Sequence, residues 1–241
     1  MAFLIIFHFS FFIFHSHAQE PQTRATQPTT APSDNPFPAM KKAFADLANP
    51  DGQVRDDAFV WLMGLNPTDL PALRKLVRQS LPLAPEQLMA LPQIVMHVYL
   101  TGETYDVVPD AGFLGIFMPS SAVESGECVV VDRRMPGFVG ERALREGDVI
   151  LGVVEHPTLE FHKGSELSDA MKPFKAGDVV HLQVLRQGKV QRITARLDPK
   201  PAEAEPGTRE AIEAFNASRR ARAEQYWQEH FADLLETPQA Q

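Results

Sequence analysis

The chain has one cysteine, Cys128, in 241 residues. A single thiol closes no intramolecular disulfide and anchors no thiolate metal cluster. Basic residues are outnumbered, 23 against 31 acidic ones, for a formal charge of −8. Such a chain presents no electrostatic footprint to a phosphate backbone, so no nucleic-acid partner is expected. Glycine-rich phosphate loops are missing. So are Gly-x-Ser-x-Gly and Gly-Asn-Ser-Gly-Gly stretches, so no enzyme and no cofactor are expected. Glycine is sparse, 14 residues against 20 prolines, which favours linkers and interrupted helices over one continuous bundle. What is present is ordinary: 44% hydrophobic and 22% charged residues exclude wholesale disorder. The length exceeds the ~100–200 residues of one domain, so one large or two small domains are expected.

The first 18 residues contain no Asp, Glu, Lys or Arg. Ala2 to Phe14 is apolar except for His8 and Ser10. This run falls short of the ~20 residues of a membrane-spanning helix. It suits the apolar core of a secretory signal, with small Ser16 and Ala18 before a cut after Ala18, although no basic residue precedes it. Residues 1–18 are therefore expected to be a cleaved signal peptide, or a membrane anchor if uncleaved. The mature protein is then extracytoplasmic, and Cys128, followed by Val129, Val130 and Val131, is expected to be buried. Residues 19–38 are rich in Pro, Thr, Gln, Ala and Ser, a composition that reads as a flexible linker.

Residues 39–104 have helical periodicity. Met40, Phe44 and Leu47 share one face before the break at Asn49-Pro50-Asp51-Gly52. Val54, Ala58, Trp61, Leu62 and Leu65 follow, then Asn66-Pro67-Thr68-Asp69, then Leu73, Leu76, Val77 and Leu81. A fourth face carries Leu88, Leu91, Val95 and Val98. Short helices with brief connections predict an antiparallel helical module. Its opening stretch, Leu47 to Asp51 with Val54, Arg55 and Ala58, resembles one HEAT repeat, without a second copy at ~40 residues.

Beyond Val107 the period becomes that of strands: 113–118, 127–131, 149–154, 179–185 and 190–197, with one helix over 165–174. After the proline-rich break at 199–206, residues 207–237 predict a C-terminal helix capped by Thr208. Its apolar stripe is Ile212, Phe215, Ala223, Trp227, Phe231 and Leu234, interrupted in the middle by Arg219, Arg220 and Arg222.

Gly112-Phe113-Leu114-Gly115-Ile116 resembles the carboxylate-binding loop of a PDZ domain. Pro136-Gly137, Leu144 to Ile150, Leu167-Ala170-Met171, Ala176 to Val180, Val184-Leu185-Arg186 and Gly188-Lys189 continue the resemblance to PDZ domains of the bacterial type. It spans 108–198 and is similar to the module that accompanies proteases of the high-temperature-requirement family, without the protease. The implied fold is α+β: a small, partly open β-barrel with one groove helix, preceded by the helical module and followed by the C-terminal helix.

The implied function is recognition of protein C-termini or extended peptides by strand addition. Backbone N–H groups of Leu114, Gly115 and Ile116 would converge on a terminal carboxylate, and Phe113 opens the loop. Ile116, Met118, Leu167, Ala170 and Met171 would line an apolar pocket. Gly115→Val is expected to weaken binding by obstructing the anion without unfolding the domain. The chain departs from the family over Phe138 to Leu144, in the long loop from Pro119 to Gly126, and in having no histidine where the groove helix starts near Gly164-Ser165. An apolar-ended ligand is expected. His156 and His162 read as solvated loop residues and His97 and His181 as core or edge residues, so no metal site is expected. A membrane partner enters only through an uncleaved N-terminus. Two other roles fit the same residues: an accessory that delivers substrates to a separate protease, and a structural protein whose groove is closed, for instance by the C-terminal helix.

Overall fold

The computed structural model describes residues 36–118, 129–155, 161, 164–205 and 209–235. The expectations for the signal peptide, most of the linker, Cys128, the 119–126 loop, His156, His162 and Thr208 lie outside the described residues.

Four helices open the chain: α1 (Phe37–Asp46), α2 (Gly52–Leu62), α3 (Leu70–Gln79) and α4 (Pro85–Thr101). The predicted linker thus ends two residues early, because Pro38 sits in the first turn of α1, where proline loses no helical bond. The Asn-Pro-Asp-Gly break works through side chains. Asp51 Oδ1 accepts from Gln53 N at 2.8 Å to cap α2, and Arg55 donates to the Asn49 carbonyl at 2.7 Å. Buried Gln87 donates to the Phe44 carbonyl at 2.8 Å and ties α4 to α1. Met40, Phe44, Leu62, Leu73, Leu76, Leu91, Ile94 and Val95 are fully buried in one core. Two residues expected on the buried faces are exposed instead, Leu81 at 43% and Leu88 at 40%.

The second half carries three small sheets. β1 (Val107–Phe113) pairs antiparallel with β8 (Asp198–Pro201). β2 (Ile116–Phe117) pairs with β4 (Arg133–Arg134), and β3 (Val129–Val130), β5 (Val149–Val153), β6 (Val179–Arg186) and β7 (Lys189–Arg196) form the third sheet in that order. Helices α5 (Val139–Ala143) and α6 (Gly164–Met171) complete this part, and α7 (Arg209–His230) closes the chain. The mixed architecture is α+β. Three strands went unread in the sequence, β1, β4 and β8, because each is polar or proline-bearing and is held by its partner rather than by its own periodicity.

Two loops repeat one device. In each, a glycine with positive φ, Gly147 at 84° and Gly177 at 87°, precedes an aspartate. Asp148 accepts from Arg145 N and Asp178 from Lys175 N, both at 2.8 Å. The glycine amides then donate to Val131 and Leu197 carbonyls, and those residues donate back to Asp148 and Asp178 carbonyls. The Gly-Asp-Val pattern is therefore a strand-entry turn. Asp148, 2% exposed, also takes a two-pronged bond from Arg186 at 2.9 and 2.7 Å.

The sheet core gathers Leu114, Val131, Ile150, Leu167, Val180, Leu182 and Val184. A third, smaller cluster of Phe117, Met135 and Phe138 packs with Tyr105, Phe113, Ile212 and Phe215. Helix α7 touches both ends of the molecule: Ile212 and Phe215 join that aromatic cluster, while Tyr226, Trp227 and Phe231 complete the helical core.

Candidate peptide-binding site

The loop before β2 turns at a glycine. Gly115 takes φ of +70°, a left-handed conformation, and is buried. Its carbonyl accepts from Met135 N, and the Leu114 carbonyl accepts from Gly140 N, both at 2.8 Å. The carbonyls hold the loop down. The bonds that do so leave the amides of Leu114, Gly115 and Ile116 out.

In the β2–β4 ladder, Ile116 stands opposite Arg134 and Phe117 opposite Arg133. Bonds at Gly115 and Phe117 carbonyls face β4, so antiparallel alternation turns the Ile116 N–H and C=O to the other edge. No strand of the described residues pairs along that edge. Ile116 and Met118 share the side-chain face that meets the sheet core, and Phe117 points to the aromatic cluster behind.

Of the eight expected site residues, Leu114, Leu167 and Ala170 belong to the sheet core, Ile116, Met118 and Met171 pack against it, and Gly115 stands against Phe138. Phe113 turns away, its ring edge-on to Phe138 with centroids 5.1 Å apart. Leu167 and Ala170 are only 3% and 6% exposed, so they belong to the core and do not line an open pocket. Met118 lies against the start of α6: a β-carbon on Gly164 would sit 3.0 Å from its sulfur.

The expected effect of Gly115→Val needs correction. A β-carbon there would lie 2.3 Å from Phe138 Cβ, at a φ that β-branched residues avoid. The substitution strikes the fold as well as the ligand, and a stability loss of at least about 2 kcal/mol is expected by chemical denaturation.

Behind the loop lies a buried polar cluster that the sequence did not disclose. Arg219 of α7 is 1% exposed. Its guanidinium donates to the Pro136 carbonyl at 2.9 Å and the Leu100 carbonyl at 3.1 Å, and pairs with Glu103 at 3.1 Å. It stacks 4.4 Å from the Phe138 ring, with Tyr105 and Phe215 at 5.6 and 5.4 Å. Burial pulls its pKa down and Glu103 opposes that shift. Burial also lifts the Tyr105 hydroxyl to about 12. Nearby, buried His97 sits 2.8 Å from Glu141, a core residue as expected. One signal was available: Phe215, Arg219 and Ala223 are four apart, so Arg219 occupies the stripe it seemed to interrupt.

His181 lies on β6, an interior strand of the third sheet, its ring 2.5 Å from Glu155 just beyond β5. Among the described residues no group of side chains is arranged to hold a metal ion, and no helix is long and apolar enough to cross a membrane. A crevice of about 180 Å³ lies between Phe117, α4 and Pro136, another of about 240 Å³ between the end of α4, Gly137 and Asp198–Pro199, and neither includes α6.

No family model and no curated protein matches the chain. It is similar to solved structures of HtrA-type proteases. These include the HtrA-type protease AlgW with decapeptide, at 22% identity over 47% of this chain and 35% of that one, TM-score 0.32. A variant of AlgW with decapeptide gives 23%, 47%, 35% and 0.33. The serine endoprotease from Yersinia pestis gives 19%, 46%, 36% and 0.31. The match thus spans little more than a third of those proteases. At such low TM-scores the likeness carries no argument about what this chain does.

Proposed function

We propose that the protein is an exported, non-enzymatic PDZ-like module that binds protein C-termini or extended peptides by adding them as a strand to β2. The observation that carries this reading is that, among the described residues, β2 pairs along one edge only, directly after a left-handed Gly115 whose neighbouring amides are not used by the loop's own bonds. An extended ligand satisfies the Ile116 backbone groups, and the loop amides satisfy its carboxylate without a cationic side chain. Ile116, Met118 and Met171 favour an apolar last residue. Export rests on the apolar run from Ala2 to Phe14 and the Ser16-His17-Ala18 site.

Calorimetric titration of the mature chain with a peptide ending in an apolar residue tests this. The acid form should bind in the micromolar range, about −8 kcal/mol. Its C-terminal amide should bind at least about tenfold more weakly, since charge-assisted bonds contribute ~1.5–3 kcal/mol. Equal affinity for both forms would refute carboxylate reading.

One observation favours a second reading, a structural protein with a closed groove: Met118 fills the space beside Gly164 and the floor is buried. Absence of binding across a broad peptide library, to both wild type and Met118→Ala, would favour it. Helix α7 supports neither closure nor blockage, because it packs behind β2, on the Phe117 side. Delivery of substrates to a separate protease is compatible with the open groove, and co-purification with a protease would support it.

A further inference from the structure

We infer that the C-terminal helix belongs to the peptide-binding apparatus: Arg219 is a positioning residue that sets the Leu114–Gly115 loop through Phe138. The inference rests on the peptide-binding reading of that loop.

Gly115 has no side chain, so the loop takes its shape from what it leans on. Phe138 is that support, with its Cβ and Cγ 2.3 and 2.7 Å from where a Gly115 β-carbon would stand. Both backbone bonds that hold the loop, from Met135 N and Gly140 N, come from the segment that bears Phe138. Residues 135–140 therefore form one back wall for the loop.

Arg219 fixes that wall from behind. It donates to the Pro136 carbonyl at the wall's start and covers the Phe138 ring at 4.4 Å. A further bond, to the Leu100 carbonyl, secures the wall to the last turn of α4. Gly137, φ +79°, permits the approach: a β-carbon there would lie 2.6 Å from Arg219 Nη2 and 2.5 Å from Leu100 Cβ. The planar guanidinium stacks and donates in two directions at once, which an ammonium cannot do. Replacing Arg219 by Met leaves the Pro136 and Leu100 carbonyls without these donors, while Glu103 keeps Arg222 at 2.7 Å. The wall loosens, and the loop amides lose their common aim at a carboxylate.

The test compares full-length mature wild type with Arg219→Met, Arg219→Lys and Phe138→Leu, each checked for folding by circular dichroism. The first readout is the ratio of affinities for the acid and amide forms of one apolar-ended peptide. Simple destabilisation lowers both affinities together and leaves the ratio alone; a mispositioned loop loses the acid preference only. A ratio reduced about tenfold is expected for Arg219→Met and Phe138→Leu, the scale of losing charge-assisted bonds, with Arg219→Lys in between. The second readout is amide hydrogen exchange without ligand. Gly140 and Met135 amides should exchange about tenfold faster in the variants, while Leu182 in the sheet core stays unchanged. An unaltered ratio, or unaltered Gly140 and Met135 exchange, in a folded variant overturns the inference. If wild type itself fails to separate acid from amide, the peptide-binding reading fails instead, and the exchange data still decide whether Arg219 orders the loop. If Arg219→Met does not fold, Phe138→Leu and Arg219→Lys decide by the same two readouts.

Discussion

At the scale of single residues, burial rather than charge count sets the chemistry. Asp198 accepts from Val139 N at 2.5 Å, yet its carboxyl is held above its usual pKa. Burial is the cause, and it outweighs that bond and the fields of Arg142, His97 and Arg219. A raised native pKa means the fold prefers the protonated form. The stability this lends is complete below the unfolded value, about 3.9, and is lost as pH rises through the native value. Asparagine keeps an acceptor for Val139 and never ionises. The stability of Asp198→Asn relative to wild type should therefore improve as pH rises from about 4 and level off above the native pKa. Urea unfolding of both proteins across that range checks it, and a difference independent of pH would contradict it.

At the scale of elements, α7 is the piece whose role changed most between sequence and structure. The sequence allows it to be a lid over the groove. Its aromatic residues instead enter two cores: Ile212 and Phe215 join Phe117, Met135 and Phe138, while Trp227 and Phe231 join the helical module. Tyr226 stacks on Tyr99 with centroids 4.5 Å apart. Each large apolar side chain buried contributes ~1.5–3 kcal/mol, against a total domain stability of ~5–15 kcal/mol. A chain ending before Arg209 should lose its cooperative thermal transition, measured by circular dichroism. Retention of the transition together with new peptide binding would restore the lid.

At the scale of the whole molecule, the helical and sheet halves should unfold together. The Arg145–Asp56 ion pair at 2.5 Å crosses between them, and Arg133 with Glu213 at 2.8 Å ties the sheet half to α7. Pairs this exposed contribute only ~0.2–1 kcal/mol each. The stronger coupling is the shared helix, with buried Arg219 bonded to α4 and to the 136–138 turn. Both tryptophans, Trp61 and Trp227, pack on the helical core, so their fluorescence follows that half. Denaturant midpoints from tryptophan fluorescence and from Leu182 amide exchange should coincide. Midpoints well apart would mean two independently stable units.

What the sequence determined by itself was local. Period 3.6 with proline breaks located α1 to α4, and Gly-Asp-Val turns located the entries to β5 and β6, since propensity and turn chemistry act over a few residues. The Gly115 loop and the residues around α6 were legible for the same reason. The tertiary structure alone decided that β1, β4 and β8 are strands, that Phe113 packs on Phe138, and that Met118 lies against the start of α6. It alone made Arg219 the most buried charge among the described residues, because a guanidinium enters a core only where carbonyls, a carboxylate and ring faces from distant segments meet around it. That meeting brings together residues 100, 103, 136, 138 and 219, at separations from Arg219 of 83 to 119 positions for its hydrogen-bond partners, which no spacing in the chain records.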